Sequence, residues 1–311
     1  FCAINRGSID GMKLFFLIFV SSFLSAQINI NDLMSRMDLD GTERKYLLKD
    51  VEPYTGKVFF NYENGNKEFE GFLKDGLQNG HWSWYFKNGV KQQEGVFKNL
   101  QQDSLWTTWY KSGQMKEEGE YVNGKKQGTW SLWYENGFVS SAEPYRNGRL
   151  HGKLILWYDS GNKEGEALYV HGLKDSYDRG WYDNGAPQWE FYWKNNLKDS
   201  VHTRWYLDGQ TLYVHNYRNG TPHGLQQEWY PDGLKSINGE FHNGLYTGHW
   251  TWWYSDGSVA LEGEFALGNP RDNWIWITPE GDVEESEFPA LKWVENRIQV
   301  WERAVRQRAN Q

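Results

Sequence analysis

A glycine returns every 24 residues along this 311-residue chain, ten times over, with no insertion or deletion. The series runs Gly65, Gly89, Gly113, Gly137, Gly161, Gly185, Gly209, Gly233, Gly257 and Gly281. A repeat this strict means that one small supersecondary unit is copied, each copy burying its apolar side against its neighbours. Other columns keep the same register. Three residues before each of the first nine glycines stands an aromatic, from Tyr62 and Phe86 to Tyr254, and Thr278 breaks the column in the last unit. One position earlier come Tyr85 and then Trp109, Trp133, Trp157, Trp181, Trp205, Trp229 and Trp253. Units open on Gly or Ser from Gly56 to Gly248, and the tenth opens on Asp272. Eight residues after the glycine a large side chain recurs, among them Leu73, Phe97, Tyr121, Trp193 and Phe265.

Local chemistry turns this pattern into a hairpin. Asn64-Gly65, Asn88-Gly89, Asn136-Gly137, Asp208-Gly209 and their relatives predict two-residue turns with both residues at positive φ. In the strand before such a turn, alternation places Trp82, Trp84 and Phe86 on one face and Tyr85 on the other. The returning strand carries Gly71, Gly95, Gly119, Gly239 and Gly263 at its middle, where the chain bends or a neighbour's ring lies against the backbone. Phe191 and His215 take that place in units six and seven. A second turn, such as Asn123-Gly124 or Asn243-Gly244, leads into the next unit. The expected fold class is all-β: an elongated, single-layer antiparallel sheet of tandem β-hairpins, with a C-terminal capping helix. About twenty strands at ~4.8 Å each give a ribbon on the order of 100 Å long.

The ends depart from the repeat. Lys13, the apolar run from Leu14 to Leu24 and the exit at Ser25-Ala26 read as a signal peptide, so residues 1–26 are taken as an N-terminal extension and export segment. An uncleaved anchor is the alternative. Residues 27–55 form an N-terminal cap: Asn31–Met37 reads as a helical turn or loop, and Lys45–Leu48 as a strand covering the array's edge. Residues 56–288 hold the ten repeats. From 289 to 311, Leu291, Val294, Ile298, Trp301 and Val305 recur at helical spacing, with Arg303, Arg306 and Arg308 near the end. This predicts an amphipathic helix that blocks the open sheet edge; a surface-binding basic helix is the rival reading.

Composition removes several functions. A net charge of −8 disfavours broad phosphate-backbone binding, so no nucleic acid is expected. Cys2 is the only cysteine, which leaves no disulfide and no cysteine metal site within one chain. His223, His242 and His249 fall in neighbouring units, but no spacing matches a helical zinc motif, and no metal or cofactor is expected. Acidic pairs such as Glu118 with Glu120 and Glu262 with Glu264 recur from unit to unit, as a solvated stripe does and a single active site does not. With no Gly-x-Ser-x-Gly elbow or phosphate loop, the chain reads as a non-enzyme.

The segments Gly128-Thr-Trp-Ser-Leu-Trp-Tyr-Glu-Asn-Gly137 and Gly248-His-Trp-Thr-Trp-Trp-Tyr-Ser-Asp-Gly257, in a repeat whose next strand is typically Glu-Gly-x-Tyr and whose second turn is typically Asn-Gly, resemble the MORN type of repeat. More narrowly they resemble the variant found in YwqK-type antitoxin proteins, as does the lead-in Glu52-Pro-Tyr-Thr-Gly-Lys-Val58. The resemblance spans about residues 39–288. It implies a scaffold that binds a protein partner, a toxin in the antitoxin case. For any one of these tryptophans the expected role is packing along the sheet, ring over neighbouring ring; the candidate binding surface, if the rings are exposed, is the aromatic row Trp84, Trp109, Trp133, Trp157, Trp181, Trp205, Trp229 and Trp253. The alternative partner is an envelope or other glycan stacked on the same ladder.

Overall fold

The computed structural model describes residues 27–287 and 289–309. The export segment expected over residues 1–26 lies outside them, as do residues 310–311 of the C-terminal segment; the side chains of Arg306 and Arg308 are likewise outside the description. From Gly56 to Glu287 each long strand pairs antiparallel with the next in sequence, within one 22-stranded sheet. An eight-residue strand such as Lys91–Lys98, a two-residue turn, a nine-residue strand such as Gln101–Trp109 and a five-residue connection make up the 24-residue period. The all-β ribbon expected from the repeat is the observed fold.

The turns differ from expectation. At Asn88-Gly89 only the glycine is left-handed, with φ 85°. Asn88 instead accepts the Val90 N–H on its side-chain oxygen, and the Gly89 N–H donates to Phe86 O. This is a bulged hairpin loop, and the register slips by one residue just before it, from Trp84↔Gln93 to Tyr85↔Lys91. The pair with both residues left-handed is the other turn, as at Asn123 (φ 49°) and Gly124 (φ 72°). The two edges of the ribbon therefore carry different turns.

Two sets of contacts join unit to unit. The first is a ring on a backbone. Trp82, Trp106, Trp130, Trp250 and Trp274 lie flat over Gly71, Gly95, Gly119, Gly239 and Gly263 of the preceding unit; a methyl group on Gly119 would fall 2.2 Å from the Trp130 ring. Four of these indoles, those of Trp82, Trp106, Trp130 and Trp250, also donate Nε1–H to the carbonyl ten residues earlier, at 3.1–3.2 Å. Burying roughly 200 Å² of indole is worth about 5 kcal/mol, against about 1 kcal/mol for the hydrogen bond, so ring burial dominates. The second set is a hydroxyl ladder. Tyr62, Tyr110, Tyr134, Tyr158, Tyr182, Tyr206, Tyr230 and Tyr254 each donate to a backbone carbonyl 23 residues later, at 2.6–2.8 Å.

Both ends are covered on the same broad face. At the start, Leu33 packs with Val58, Leu73 and Trp82. Leu33–Met37 is a strand, not the helical turn or loop expected; it pairs with Glu43–Leu47 in a separate two-stranded sheet. The array's first edge is met instead by Ile28–Asn29, parallel to Gly56–Asn61. At the far end the helix Leu291–Ala309 buries Val294 and Trp301 against Trp250, Trp252, Leu261, Trp274 and Trp276. Leu291 is exposed. The helix thus caps by lying on the face of units nine and ten. The outermost strand, Val283–Glu287, is left with Glu284, Glu285 and Glu287, and charge on such a strand discourages pairing with another chain.

Replacing Gly119 with alanine should destabilise the array by roughly 1–3 kcal/mol in urea unfolding, because the Trp130 ring must lift from the backbone. Tyr134→Phe should cost about 1 kcal/mol in the same measurement, through loss of the hydroxyl's bond to Trp157 O.

Candidate functional site

With both caps on one side, the opposite face of the sheet carries no further strand or helix among the described residues, and only Gln27 reaches onto it, beside Glu70. The side chains on it follow from alternation: Tyr85 and the tryptophans aligned with it, the Glu70 column, the His81 column and the Phe72 column. Tyr85 marks the side, since its hydroxyl donates to Glu70 at 2.7 Å. Burial and that bond push the Tyr85 hydroxyl up to about 12.

Seven of the eight row residues named from sequence, Trp109, Trp133, Trp157, Trp181, Trp205, Trp229 and Trp253, come together on this open face, each half-buried. Trp84 does not. It lies one position out of register, on the covered face, stacked on Trp82 at 5.8 Å and on Trp106 at 6.0 Å. The residue aligned with the row in its unit is Tyr85. Each row residue stands opposite a spacer on the returning strand: Lys91 beside Tyr85, Met115 beside Trp109, Val139 beside Trp133, Lys163 beside Trp157, Pro187 beside Trp181 and Val259 beside Trp253. The rings are therefore neither fully packed away nor fully bare; lysines shield some, with Lys91 over Trp109 at 5.4 Å and Lys163 over Trp181 at 4.6 Å.

Parallel to this row runs the acidic stripe. Much of it is neutralised: Glu94 with Lys91 at 2.5 Å, Glu166 with Lys163 and Lys153, and Glu190 with Arg179 at 2.6 Å. Lysine partners hold the Glu166 carboxyl below the usual range. Carboxylates paired with lysine or arginine thus recur along the stripe, Glu94 and Glu166 among them partly buried. A depression of about 460 Å³ lies in this stripe at units one and two, between Glu70, His81, Tyr85, Lys91 and Glu94.

The middle of the open face breaks the pattern. In the His81 column, units with His81, Thr129, Lys153, His249 and Asn273 are polar, but three consecutive units present Tyr177, Val201 and Leu225, exposed by 47%, 46% and 44%. Exposed Leu168 and half-buried Tyr192 adjoin them, and Tyr177 and Tyr192 meet edge to face at 5.1 Å. Beside this patch is a cleft of about 310 Å³ lined by Arg179, Trp181, Pro187, Trp189, Glu190 and Trp205. Sequence reading misses the patch, although the column carries its signal: an apolar run at a position polar in most other units.

The covered face changes in the same stretch. Where Glu143, Ala167, Phe191 and His215 replace the mid-strand glycine, the tryptophan above it becomes Leu154, Asp178, His202 and Gln226. His202 Nε2 and Gln226 Nε2 still bond the carbonyl ten residues back, at 2.7 and 2.9 Å. A carbonyl only accepts, so His202 carries its proton on Nε2. His202 is 1% exposed, between Phe191 (4.9 Å) and Tyr217 (5.0 Å). Burial depresses its pKa from 6.5; Lys198 and His215 act in the same direction, and the Tyr192 carbonyl and Asp178 oppose them. His223 and His242 do approach, with ring centroids 5.1 Å apart, while His249 faces Glu262 and Glu264 instead. Among the described residues no group of three or more His, Cys, Asp or Glu side chains could hold a metal ion.

The family model described as a MORN repeat variant matches this chain at residues 78–99, 102–123 and 246–266. In each of these segments a tryptophan, Trp82, Trp106 or Trp250, rests on a glycine. The chain carries MORN-type repeats in these segments, and such repeats are generally non-catalytic modules. No curated protein matches the chain.

A depressed histidine pKa means the unfolded chain takes up the proton first. Stability should therefore be full above pH 6.5 and decline as pH falls below it. His202→Gln, which copies the arrangement at Gln226, should keep the hydrogen bond and flatten this decline, as read from urea midpoints at pH 5 and pH 7.5.

Proposed function

We propose that this MORN-repeat chain is a non-catalytic scaffold that binds a protein partner on its open face, centred on units six to eight. The supporting observation is the run Tyr177, Val201 and Leu225, large apolar side chains held nearly half exposed where most other units are polar. Isolated exposed apolar residues are ordinary, but a contiguous cluster on a flat sheet, rimmed by half-exposed tryptophans and by the Arg179–Glu190 pair, has the anatomy of a docking surface. The YwqK-type resemblance favours a toxin held inactive by this contact. An export segment at the amino end would place the encounter outside the cytoplasm.

The test is partner capture. The full chain, immobilised in an extract of its source cells, should retain a defined protein. The combined variant Tyr177→Ser, Val201→Ser and Leu225→Ser should lose at least nine-tenths of it while keeping the wild-type circular dichroism spectrum. Retention of the partner by that variant would remove the patch as its seat.

A further inference from the structure

The open face carries two regularities that together describe a ligand. The tryptophan row repeats every second strand, about 9.6 Å. In addition, the Nε1–H groups of Trp109, Trp133, Trp157, Trp181, Trp205, Trp229 and Trp253 have no hydrogen-bond partner among the described residues. On the covered face the indoles divide: Trp82, Trp106, Trp130 and Trp250 donate to backbone carbonyls, while the buried Trp274 Nε1 has no partner among the described residues. Seven indole donors in file, with half-exposed rings, can be met by acceptors set at the same interval.

A polyproline II helix supplies such acceptors. It advances about 3.1 Å per residue and three residues per turn, about 9.3 Å per turn, and none of its carbonyls is bonded internally. Laid along the row, it would offer each tryptophan one carbonyl and one apolar ring. The mismatch of about 0.3 Å per turn and the twist of the sheet would separate the two beyond a few turns, so the match covers three or four tryptophans. The cleft between Trp181 and Trp205 gives the anchoring point. Pro187 stands in the spacer column there, short like Val139 and Val259 and unlike Lys91, Met115 and Lys163, and the cleft of about 310 Å³ beside it has room for an inserted pyrrolidine ring. Charge adds a direction. Toward the two ends of the row lie Glu118 and Glu120, and Glu240, Glu262 and Glu264, none of them salt-bridged to a lysine or arginine among the described residues. Acidic flanks of this kind favour lysine or arginine beside the prolines.

We infer that the open face binds a proline-rich segment in the polyproline II conformation, flanked by basic residues, with one proline seated between Trp181 and Trp205. This rests on the reading that the face docks a protein and names the chemistry of what docks.

The probe is a synthetic peptide of ten prolines with two arginines at each end, titrated into the full chain by calorimetry and by tryptophan fluorescence. Binding is expected, with little or none for a peptide in which Gly-Ser replaces the prolines. The double variant Trp181→Phe and Trp205→Phe keeps the rings and removes both donors; it should bind about tenfold more weakly. Trp181→Ala with Trp205→Ala should weaken binding about a hundredfold, while Trp84→Phe, on the covered face, should bind as wild type. Absence of binding, equal binding of the Gly-Ser peptide, or indifference to the alanine variant would overturn the inference. Binding of cellohexaose in place of the proline peptide would overturn it too, and assign the row to a glycan. A captured protein partner that the peptide fails to displace would leave the docking surface in place and sink the proline segment alone.

Discussion

The array depends on a side chain that is missing. Glycine at the middle of the returning strand exposes bare backbone, and the indole of the next unit settles on it so closely that one methyl group would collide. The tryptophan is useful only where the glycine is present, and the two vanish together at Glu143 with Leu154, Ala167 with Asp178, Phe191 with His202 and His215 with Gln226. What survives in the last two of these is the hydrogen bond to the carbonyl ten residues back, the lesser of the two contributions. The contact is local, between consecutive units, so its loss in the centre is tolerated as long as each end retains a core of its own.

That division separates the two jobs of the sheet. One face is used for folding: it carries the glycine-seated indoles and both caps. The other is left to solvent and carries the tryptophan row. The units that have lost the mid-strand glycine or the tryptophan above it include those that have gained Tyr177, Val201 and Leu225 on the open side, although Trp189 there lies on Gly180 instead. Departures from local consistency tend to collect where a chain serves something other than its own stability, and here both faces depart from the pattern in overlapping units. The regular units, including those that match the repeat family at 78–99, 102–123 and 246–266, read as framework.

Much of this is legible in the sequence because a strict period makes every column a comparison. The hairpin, the sheet, the terminal helix and the ring-on-glycine contact follow from spacing and from what glycine permits. Three things do not follow. Trp84 joins the row on sequence because it is a tryptophan next to the right position; counting 24 back from Trp109 reaches Tyr85, and the one-residue difference puts the two on opposite faces. Asn88-Gly89 and Asn123-Gly124 are the same dipeptide in different turns, since the choice lies in the register of the flanking strands. The cap strand Glu43–Leu47 carries a pattern suited to pairing but not an indication of which strand it would pair with.

The tyrosine ladder has a mechanical consequence. Its hydroxyl bonds, like the strand-to-strand bonds, point along the long axis of the array rather than across it. A pull on the two ends would load these bonds in line and one row at a time. A ribbon loaded in this way yields by unzipping at its weakest row, since its rows are not sheared together.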